Sequence, residues 1–336
     1  MRVSLASLSL ADKLRLYKYK TMQDWWQIAF PKGRQNLTIT DASGHPVKIS
    51  YGEKGTGKPL FLVHGIGSWS YGWRHIIEPL SKYFRVICFD AKGHGFSDKP
   101  LYSEELAHQS IEMERIIRGL CDEPAVVVAQ SLGAIITLAL AENNPELFAR
   151  LAVINVPIFP KELPTLWMQL LAALPLDLVR AVDDLRLANT FAPMLRQMVM
   201  FGRHEVVVDP EQITAEEVYW ITYPYIELPN TITKTAEDLQ HAAQEIDRSL
   251  HNQPNIIYTI QDNLSRITCP TLVLWGEQDR WFPASNGEKL HARLPSSRLK
   301  ILPNCGHDAA GGSPEAVNAA ILEFLRDTDF LDRADV

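Results

Sequence analysis

The chain has 336 residues, and its hydrophobic (46%) and charged (22%) fractions are those of ordinary globular proteins. Its formal net charge of -7 disfavours nucleic acid as a partner, because phosphate binding requires a basic surface. No apolar stretch predicts a transmembrane helix or a secretory signal, and the four cysteines form no Cys-x-x-Cys pair. We therefore expect a reduced, cytoplasmic protein.

Residues 1–34 form a predicted helical extension. Its apolar side chains, Trp25 and Trp26 among them, are interleaved with basic ones such as Lys13 and Lys18. A basic helix with a Trp-containing apolar face can lie at a membrane interface. The sequence leaves two interpretations open: an arm that docks on its own domain, which we favour, and a peripheral membrane contact.

From residue 35 onward, strand and helix patterns alternate. Residues 37–40 and 47–51 predict an antiparallel hairpin, and the later strands are continuous apolar runs, typical of a parallel sheet buried on both faces. These strands are predicted over 60–63, 85–89, 125–128, 151–156, 271–275 and 299–302, and the helices over 73–83, 104–121, 132–144, 284–294 and 314–327. The pattern predicts an α/β fold with a mostly parallel central sheet flanked by helices.

Residues 157–266 interrupt this alternation with an almost wholly helical pattern. The segment is rich in Leu, Met and aromatic residues and is punctuated by prolines. Because α/β sheets bind ligands at their carboxyl edge, we expect an inserted cap that shapes a pocket for a lipophilic small molecule. The predicted division is an extension (1–34), a core in two pieces (35–156 and 267–336) and an all-helical cap (157–266).

The segment from Ala129 to Gly133 joins the apolar run over 125–128 to a helical pattern. A serine at such a junction can lie on a tight elbow that exposes its hydroxyl. A serine hydroxyl is a poor nucleophile by itself and needs an adjacent base. Ser131 is therefore the candidate nucleophile, and its partners must come from elsewhere in the chain.

Two other strand ends supply candidates for the base and the acid. Asp279 follows the strand predicted over 271–275, and His307 follows the strand predicted over 299–302. His307 would accept the serine proton and return it to the leaving group, while Asp279 would orient the imidazole and stabilise its cation. The order Ser131, Asp279, His307 is typical of α/β hydrolases.

The segment after the strand over 60–63 is a candidate for stabilising negative charge. Here the backbone N–H of Ile66 can point toward Ser131. The backbone N–H of Leu132, at the start of the helix predicted over 132–144, can point there too. Two such donors would form an oxyanion hole. His64 in the same segment is expected to be structural, as is Asp90, which would hold the loop after the strand over 85–89.

Together these segments resemble the motifs of the α/β-hydrolase fold superfamily, here with a helical cap. The resemblance covers about residues 35–156 and 267–328. It rests on a His-Gly segment, a D-x-x-G-x-G-x-S segment, a W-G-x-x-D segment and a Gly-His pair, at 64–67, 90–97, 275–279 and 306–307. Four such segments, each at a strand end and in the expected order, are a specific signal.

The resemblance implies the triad Ser131, Asp279 and His307. Some relatives place the acid after the strand that precedes the cap, but Asn155 occupies that region here and cannot carry the charge. Ala129 replaces the first glycine of the usual G-x-S-x-G. Because alanine is the smallest replacement, we expect the elbow to be intact.

The leading hypothesis is a serine hydrolase that cleaves a carboxylic ester of a lipophilic small molecule through an acyl-enzyme on Ser131. Alternatives within the fold are a carbon–carbon bond hydrolase acting on vinylogous diketones, a perhydrolase and a proline aminopeptidase. A non-catalytic binding protein of the same fold is an alternative of another class. The dispersed histidines predict no metal site, and the chemistry requires no cofactor.

Overall fold

The computed structural model describes residues 24–102, 104–328 and 330–331. The strands in this part of the chain are β1 (Gln35–Thr40), β2 (Pro46–Lys54), β3 (Pro59–Val63), β4 (Arg85–Phe89), β5 (Ala125–Gln130), β6 (Phe148–Ile154), β7 (Thr271–Gly276) and β8 (Ser297–Leu302). They form one sheet in the order β1-β2-β4-β3-β5-β6-β7-β8. β1 and β2 pair antiparallel, as do β2 and β4, and all later neighbours are parallel. The predicted α/β fold is confirmed.

Helices surround this sheet. In the described part of the chain they are α1 (Trp25–Ala29), α2 (Ile77–Leu80), α3 (His108–Leu120), α4 (Leu132–Asn143), α5 (Leu166–Ala173), α6 (Leu176–Asp184), α7 (Leu187–Thr190), α8 (Ala192–Gly202), α9 (Ala215–Glu227), α10 (Thr231–Leu250), α11 (Ile256–Asn263), α12 (Ser285–His291), α13 (Ala309–Gly312) and α14 (Pro314–Asp327). α3, α4 and α12 cover one face of the sheet, and α2 and α14 cover the other.

The inner strands are buried on both faces. Successive side chains alternate, so that Phe61 and Val127 belong to the core under α3 and α4, while Leu62 and Val128 belong to the core under α2 and α14. β3 is buried along its whole length. These two cores explain why the parallel strands appear in the sequence as continuous apolar runs.

The helix predicted over 73–83 is wrong in extent. The structure has a 3-10 turn at Ser70–Trp73, followed by the single helical turn α2. In a continuous helix the ring of Pro79 would clash with the carbonyl of His75, four residues earlier. That carbonyl instead accepts a hydrogen bond from the side-chain amide of Asn318 on α14 (3.0 Å). A contact from a distant helix thus replaces the bond that proline cannot make.

Residues 24–34 pack on the core. Trp26 and Phe30 are fully buried, and the Trp25 ring contacts that of Trp69 edge-on, at 5.3 Å between centroids. A Cβ on Gly52 would overlap the Phe30 ring, which shows how closely this segment approaches β2. The described part of the predicted extension therefore docks on its own domain. The predictions for residues 1–23 lie outside the described residues.

The segment between β6 and β7 is helical, as predicted. The 20-residue helix α10 packs against α5 and α6, and α8 packs against α9. None of the helices described by the structure is both long and apolar enough to span a bilayer. The helices begin at Leu166 and end at Asn263, while the cap boundaries at 157 and 266 stay predictions.

Glu142 near the end of α4 predicts a pH dependence of stability. It is buried, its Oε1 has no hydrogen-bond partner in the described structure, and burial raises its pKa from 4.5 to about 8. Because the pKa of Glu142 is higher in the folded protein than in the unfolded chain, its protonated side chain contributes to the free energy of unfolding. That contribution is fully present below pH 4.5 and is lost as the pH rises through about 8. We expect Glu142→Gln to raise the melting temperature at pH 8 by about 2–4 °C.

The measurement is thermal unfolding of the wild type and of Glu142→Gln between pH 4.5 and pH 8. The melting temperature of the variant should fall less steeply over this window. Glu123→Gln, at an exposed position, is the matched control and should follow the wild type. Parallel curves for Glu142→Gln and the wild type would contradict the prediction.

Candidate active site

Ser131 occupies the turn between β5 and α4. Its φ of 55° lies in the left-handed region, where a residue with a side chain is strained. A Cβ on Gly133 would lie 2.3 Å from the carbonyl oxygen of His64, so only glycine lets the first turn of α4 pass so close to that backbone. Ala129 is fully buried in the sheet between β3 and β6, where its methyl group is accommodated. The elbow is therefore formed despite the missing glycine.

His307 and Asp279 are in line with Ser131. Nε2 of His307 lies 3.0 Å from Ser131 Oγ, and Nδ1 lies 2.9 Å from Asp279 Oδ2. With the proton on Nδ1, the ring donates to Asp279 and Nε2 accepts from the serine hydroxyl, the arrangement that a general base requires. The structure brings together the three residues that the sequence singled out, and their catalytic roles stay predictions.

Asp279 is held by backbone groups of its own loop. Its Oδ1 accepts hydrogen bonds from the N–H of Trp281 (2.9 Å) and of Phe282 (3.0 Å), which leaves Oδ2 for His307. The Trp281 ring packs on the imidazole of His307, with 4.6 Å between centroids. Carboxylate and imidazole are thus both fixed in orientation.

Asn155, at the end of β6, links the loops that carry Asp279 and His307. Its Nδ2 donates to the carbonyls of Gly306 (3.0 Å) and His307 (2.7 Å), and its Oδ1 accepts from the N–H of Gly276 (2.9 Å). From the sequence, Asn155 is predicted only to be unable to serve as the acid. Its position at a strand end beside the predicted cap was the available signal for this role.

The loop after β3 lies against the serine. A Cβ on Gly65 would be 2.8 Å from Ser131 Cβ and 3.4 Å from its Oγ, so glycine is required here. Among the described residues, the backbone N–H groups of Ile66 and Leu132 have no hydrogen-bond acceptor. They are available for a developing negative charge, and their assignment as an oxyanion hole stays a prediction.

His64 and Asp90 hold the loops around the site. Nε2 of His64 accepts from the backbone N–H of Ala91 (3.0 Å), and its Nδ1 lies 2.9 Å from the carbonyl of Gly65. Burial lowers the pKa of His64 to about 4, so the ring is neutral and neither nitrogen is free to move a proton. The Asp90 carboxylate accepts two bonds from Ser70, from its N–H (2.8 Å) and its hydroxyl (2.6 Å).

A pocket of about 630 Å³, its open mouth included, lies beside Ser131, between the core and the inserted helices. Its apolar lining includes Ile66, Leu132, Ile135, Met168, Leu239, Ile246 and Trp281. The charged residues in the lining are Glu162 and Glu245, with no Lys or Arg among the described residues that form it. The pocket therefore suits an uncharged, largely apolar molecule.

A largely buried chain of ion pairs connects the inserted helices to the loop that carries His307. Nη2 of Arg203, which follows α8, lies 2.5 Å from Asp308 Oδ2 and 2.7 Å from Glu217 Oε1 on α9. Burial by itself would raise the pKa of Asp308, but the Arg203 guanidinium lowers it to about 2. The backbone N–H of Asp308 also donates to the carbonyl of Val206 (3.0 Å). Residue 308 directly follows His307, so the inserted segment contacts the base loop through both side chain and backbone.

The same carboxylate reaches the nucleophile elbow. Oδ1 of Asp308 accepts a hydrogen bond from the side-chain amide of Gln130 (3.2 Å), the residue that precedes Ser131. Sequence reasoning missed Arg203, Gln130 and Asp308. The signals available were a polar residue next to each catalytic candidate and an arginine within an apolar insertion.

We expect Arg203→Leu to lower kcat about ten- to a hundredfold with KM little changed, because Asp308 loses its paired guanidinium next to His307 while the pocket walls are retained. Arg203→Lys should recover part of the rate. Arg298→Leu, which removes an exposed arginine paired with Asp327, is the control and should leave kcat unchanged. The test measures kcat, KM and the melting temperature of the wild type and of each variant. A lower melting temperature with unchanged kcat would mean that Arg203 is only structural.

One cluster of three carboxylate side chains in the described residues has the geometry to hold a cation. The oxygens of Asp41, Glu104 and Glu112 lie within 4.8 Å of one another. The ammonium of Lys92 already lies among them, 3.1 Å from Asp41 Oδ2 and in contact with both glutamates. Because Lys92 supplies the compensating charge, we assign no metal to this cluster.

A serine on a strand-to-helix elbow, with histidine and aspartate on loops at the carboxyl edge of the same sheet, defines the α/β-hydrolase class. A family model for the alpha/beta hydrolase fold matches residues 58–311, and the chain belongs to this family. The inserted helices between β6 and β7 and the apolar pocket lie beside this site. The protein is a hydrolase of this fold.

Relatives of known function are similar over most of their length. A 2-hydroxy-6-oxononadienedioate/2-hydroxy-6-oxononatrienedioate hydrolase of Comamonas testosteroni is 27% identical, over 86% of this chain and 95% of the relative. A 2-hydroxy-6-oxo-6-phenylhexa-2,4-dienoate hydrolase of Burkholderia cepacia is 24% identical over the same shares, 86% and 95%. The structure of an esterase from Thermogutta terrifontis superposes with a TM-score of 0.64 at 23% identity, covering 87% of this chain and 98% of the other, and shows the shared fold.

Proposed function

We propose that the protein is a serine-dependent hydrolase that attacks the carbonyl carbon of an uncharged, largely apolar substrate. The observation that carries this proposal is the Ser131 hydroxyl, which lies 3.0 Å from Nε2 of His307 and lines the apolar pocket. A nucleophile, its base and a substrate-sized space therefore meet at one point. The membership of the chain in a hydrolase family supports the same conclusion.

In the proposed reaction, Ser131 Oγ attacks the carbonyl carbon while His307 Nε2 takes the hydroxyl proton and Asp279 stabilises the resulting imidazolium. The carbonyl π electrons move to its oxygen, and the N–H groups of Ile66 and Leu132 stabilise that charge. Collapse breaks the bond to the leaving group, which takes the proton from His307 and leaves an acyl-enzyme. Water, deprotonated by His307, then attacks the acyl carbon and releases the acid and Ser131.

For the bond that breaks, the comparisons favour the carbon–carbon hydrolase alternative over the carboxylesterase. The relatives from Comamonas testosteroni and Burkholderia cepacia are named as hydrolases of 2-hydroxy-6-oxo compounds. In such vinylogous diketones the leaving carbon departs as a delocalised enolate, so serine chemistry can break a carbon–carbon bond. We therefore place carbon–carbon bond hydrolysis of a ketone first.

The pocket lining restricts the class of substrate further. The names of those relatives' substrates contain one or two carboxylates, whereas the pocket lining here contains Glu162 and Glu245 and no cationic side chain. A carboxylate that is moved from water into such a lining loses its hydration without gaining an ion pair. This supports an uncharged ketone with apolar substituents, and it also favours a lipophilic ester as the second candidate.

The test is a substrate panel with purified protein. It compares neutral diketones, 2-hydroxy-6-oxo dienoates, p-nitrophenyl acyl esters and proline amides, with the Ser131→Ala variant as the blank. We expect neutral ketones or neutral esters to have a kcat/KM about tenfold or more above that of the carboxylate-bearing dienoates. Ketones turned over faster than esters would support the first candidate, and the reverse order the second.

Other results would overturn parts of the proposal. A preference for the carboxylate-bearing dienoates would contradict an uncharged substrate. Absence of turnover across the panel, together with no fluorophosphonate adduct on Ser131, would overturn the serine hydrolase. A non-catalytic binding protein of the same fold would then be the better interpretation.

A further inference from the structure

The outer surface of helices α5 to α8 is unusually apolar. Ten of the fourteen exposed large apolar side chains in the described part of the chain lie between residues 166 and 201. Among them, Leu166 is 70% exposed, Leu170 59%, Met198 62% and Phe201 66%. Single exposed apolar residues are ordinary, but such a concentration marks a surface that contacts another apolar molecule or phase. We call the exposed apolar side chains of residues 166–201 the apolar patch.

The apolar patch and the pocket beside Ser131 share helix α5. Helix α5 contributes to both, because Met168 lines the pocket while Leu166, Trp167 and Leu170 are exposed on the same helix. Residues just before α5, such as Pro164, also line the pocket. The part of the patch on α5 is therefore within one helix of the pocket lining.

Charge distinguishes this surface from the rest of the chain. The whole chain has a net charge of -7, whereas residues 161–202 carry four acidic and four basic side chains. α5 has no charged residue, and Arg196 is the charged residue of α8. The patch therefore does not repel an anionic surface, and Trp and Phe beside Leu and Met are typical of helices that lie in a membrane interface.

We propose that the apolar patch binds the surface of a phospholipid bilayer, with the pocket mouth turned toward the lipid. The hydrocarbon phase of a bilayer suits this patch, because α5 and α8 contribute almost no charge to it. A bilayer would also supply an apolar substrate next to α5. This surface differs from the described part of the predicted membrane arm, residues 24–34, in which Trp25, Trp26 and Phe30 are buried in the core. Membrane binding requires no chemistry at Ser131, so it can be tested independently of the proposed function.

The test uses full-length protein in flotation assays with two kinds of vesicle, phosphatidylcholine alone and phosphatidylcholine with phosphatidylglycerol in equal parts. The patch variant carries Leu166→Ser and Leu170→Ser. The control carries Ile28→Ser and Leu250→Ser, which are 60% and 57% exposed and lie outside the patch. We expect the wild type, the control and Ser131→Ala to float alike, and the patch variant to bind at least about tenfold less.

Three outcomes would overturn the proposal. If the patch variant floats like the wild type, membrane binding belongs to another part of the chain, such as residues 1–23. If the wild type stays in solution with both vesicles, the patch does not bind lipid. If the patch variant sediments as a smaller species than the wild type in vesicle-free buffer, the patch joins two copies of the chain. Circular dichroism of all variants checks that they fold.

Discussion

Replacing Ser131 with alanine is expected to reduce kcat/KM by about 10⁴-fold or more on any substrate that the protein hydrolyses. The change removes the oxygen that lies 3.0 Å from Nε2 of His307. No other hydroxyl or thiol belongs to the described residues that line the pocket, so no neighbouring group can take over the attack. Alanine at φ 55° has much the same backbone strain as serine, so the fold should be retained.

The measurement is the initial rate on the best substrate of the panel, with labelling by a fluorophosphonate as a second readout. Ser110→Ala, whose hydroxyl bonds only to a backbone carbonyl in the first turn of α3, should keep the wild-type rate and label normally. Ser131→Ala should neither turn over substrate nor form an adduct. If Ser131→Ala kept most of the wild-type rate, the nucleophile would have to be sought elsewhere.

Replacing Asp279 with asparagine is the second large effect, and we expect kcat to fall by about 10⁴-fold. Oδ1 of Asp279 accepts from the backbone N–H groups of Trp281 and Phe282, and Oδ2 accepts from Nδ1 of His307. An asparagine that keeps its oxygen toward the two backbone donors turns its NH₂ toward Nδ1. The imidazole must then carry its proton on Nε2, where it can no longer accept the proton of Ser131.

The Asp279→Asn variant distinguishes an effect on the orientation of the His307 imidazole from an effect on the stability of the fold. Because both backbone bonds of the loop survive in Asp279→Asn, its melting temperature should stay close to that of the wild type while kcat falls. Asp262→Asn, an exposed substitution on α11, is the matched control for the charge change and should leave kcat unchanged. A loss of less than about tenfold in Asp279→Asn would mean that another group orients the base.

The parallel strands and the catalytic candidates could be predicted because both depend on short stretches of chain. A strand buried on both faces needs a continuous apolar run, and β3, β5 and β7 show one. A nucleophile elbow needs a serine between a strand and a helix with small residues around it, and Ala129 and Gly133 supply those. Asp279 and His307 follow strand ends, so topology alone brings them to the edge that carries Ser131.

The extent of the first predicted helix and the orientation of the inserted helices depended on distant contacts. The segment over 73–83 has helical residues, but the Pro79 ring and the hydrogen bond from Asn318 to the carbonyl of His75 prevent the helix from beginning before Ile77. In α5, Leu166 and Met168 are equally apolar in the sequence. Packing against α10 decides that one lines the pocket and the other is exposed.

The sequence by itself determined the fold, the candidate nucleophile and the candidates for its base and acid, since local pattern and strand order are enough for each. Only the tertiary structure decided what holds them and what they face. Arg203 and Asp308 are 105 residues apart, and Asn155 bonds to two loops more than a hundred residues away. The absence of a cation from the described pocket lining is likewise a property of packing. Such contacts form between segments whose separation in the chain conveys nothing about their distance in space.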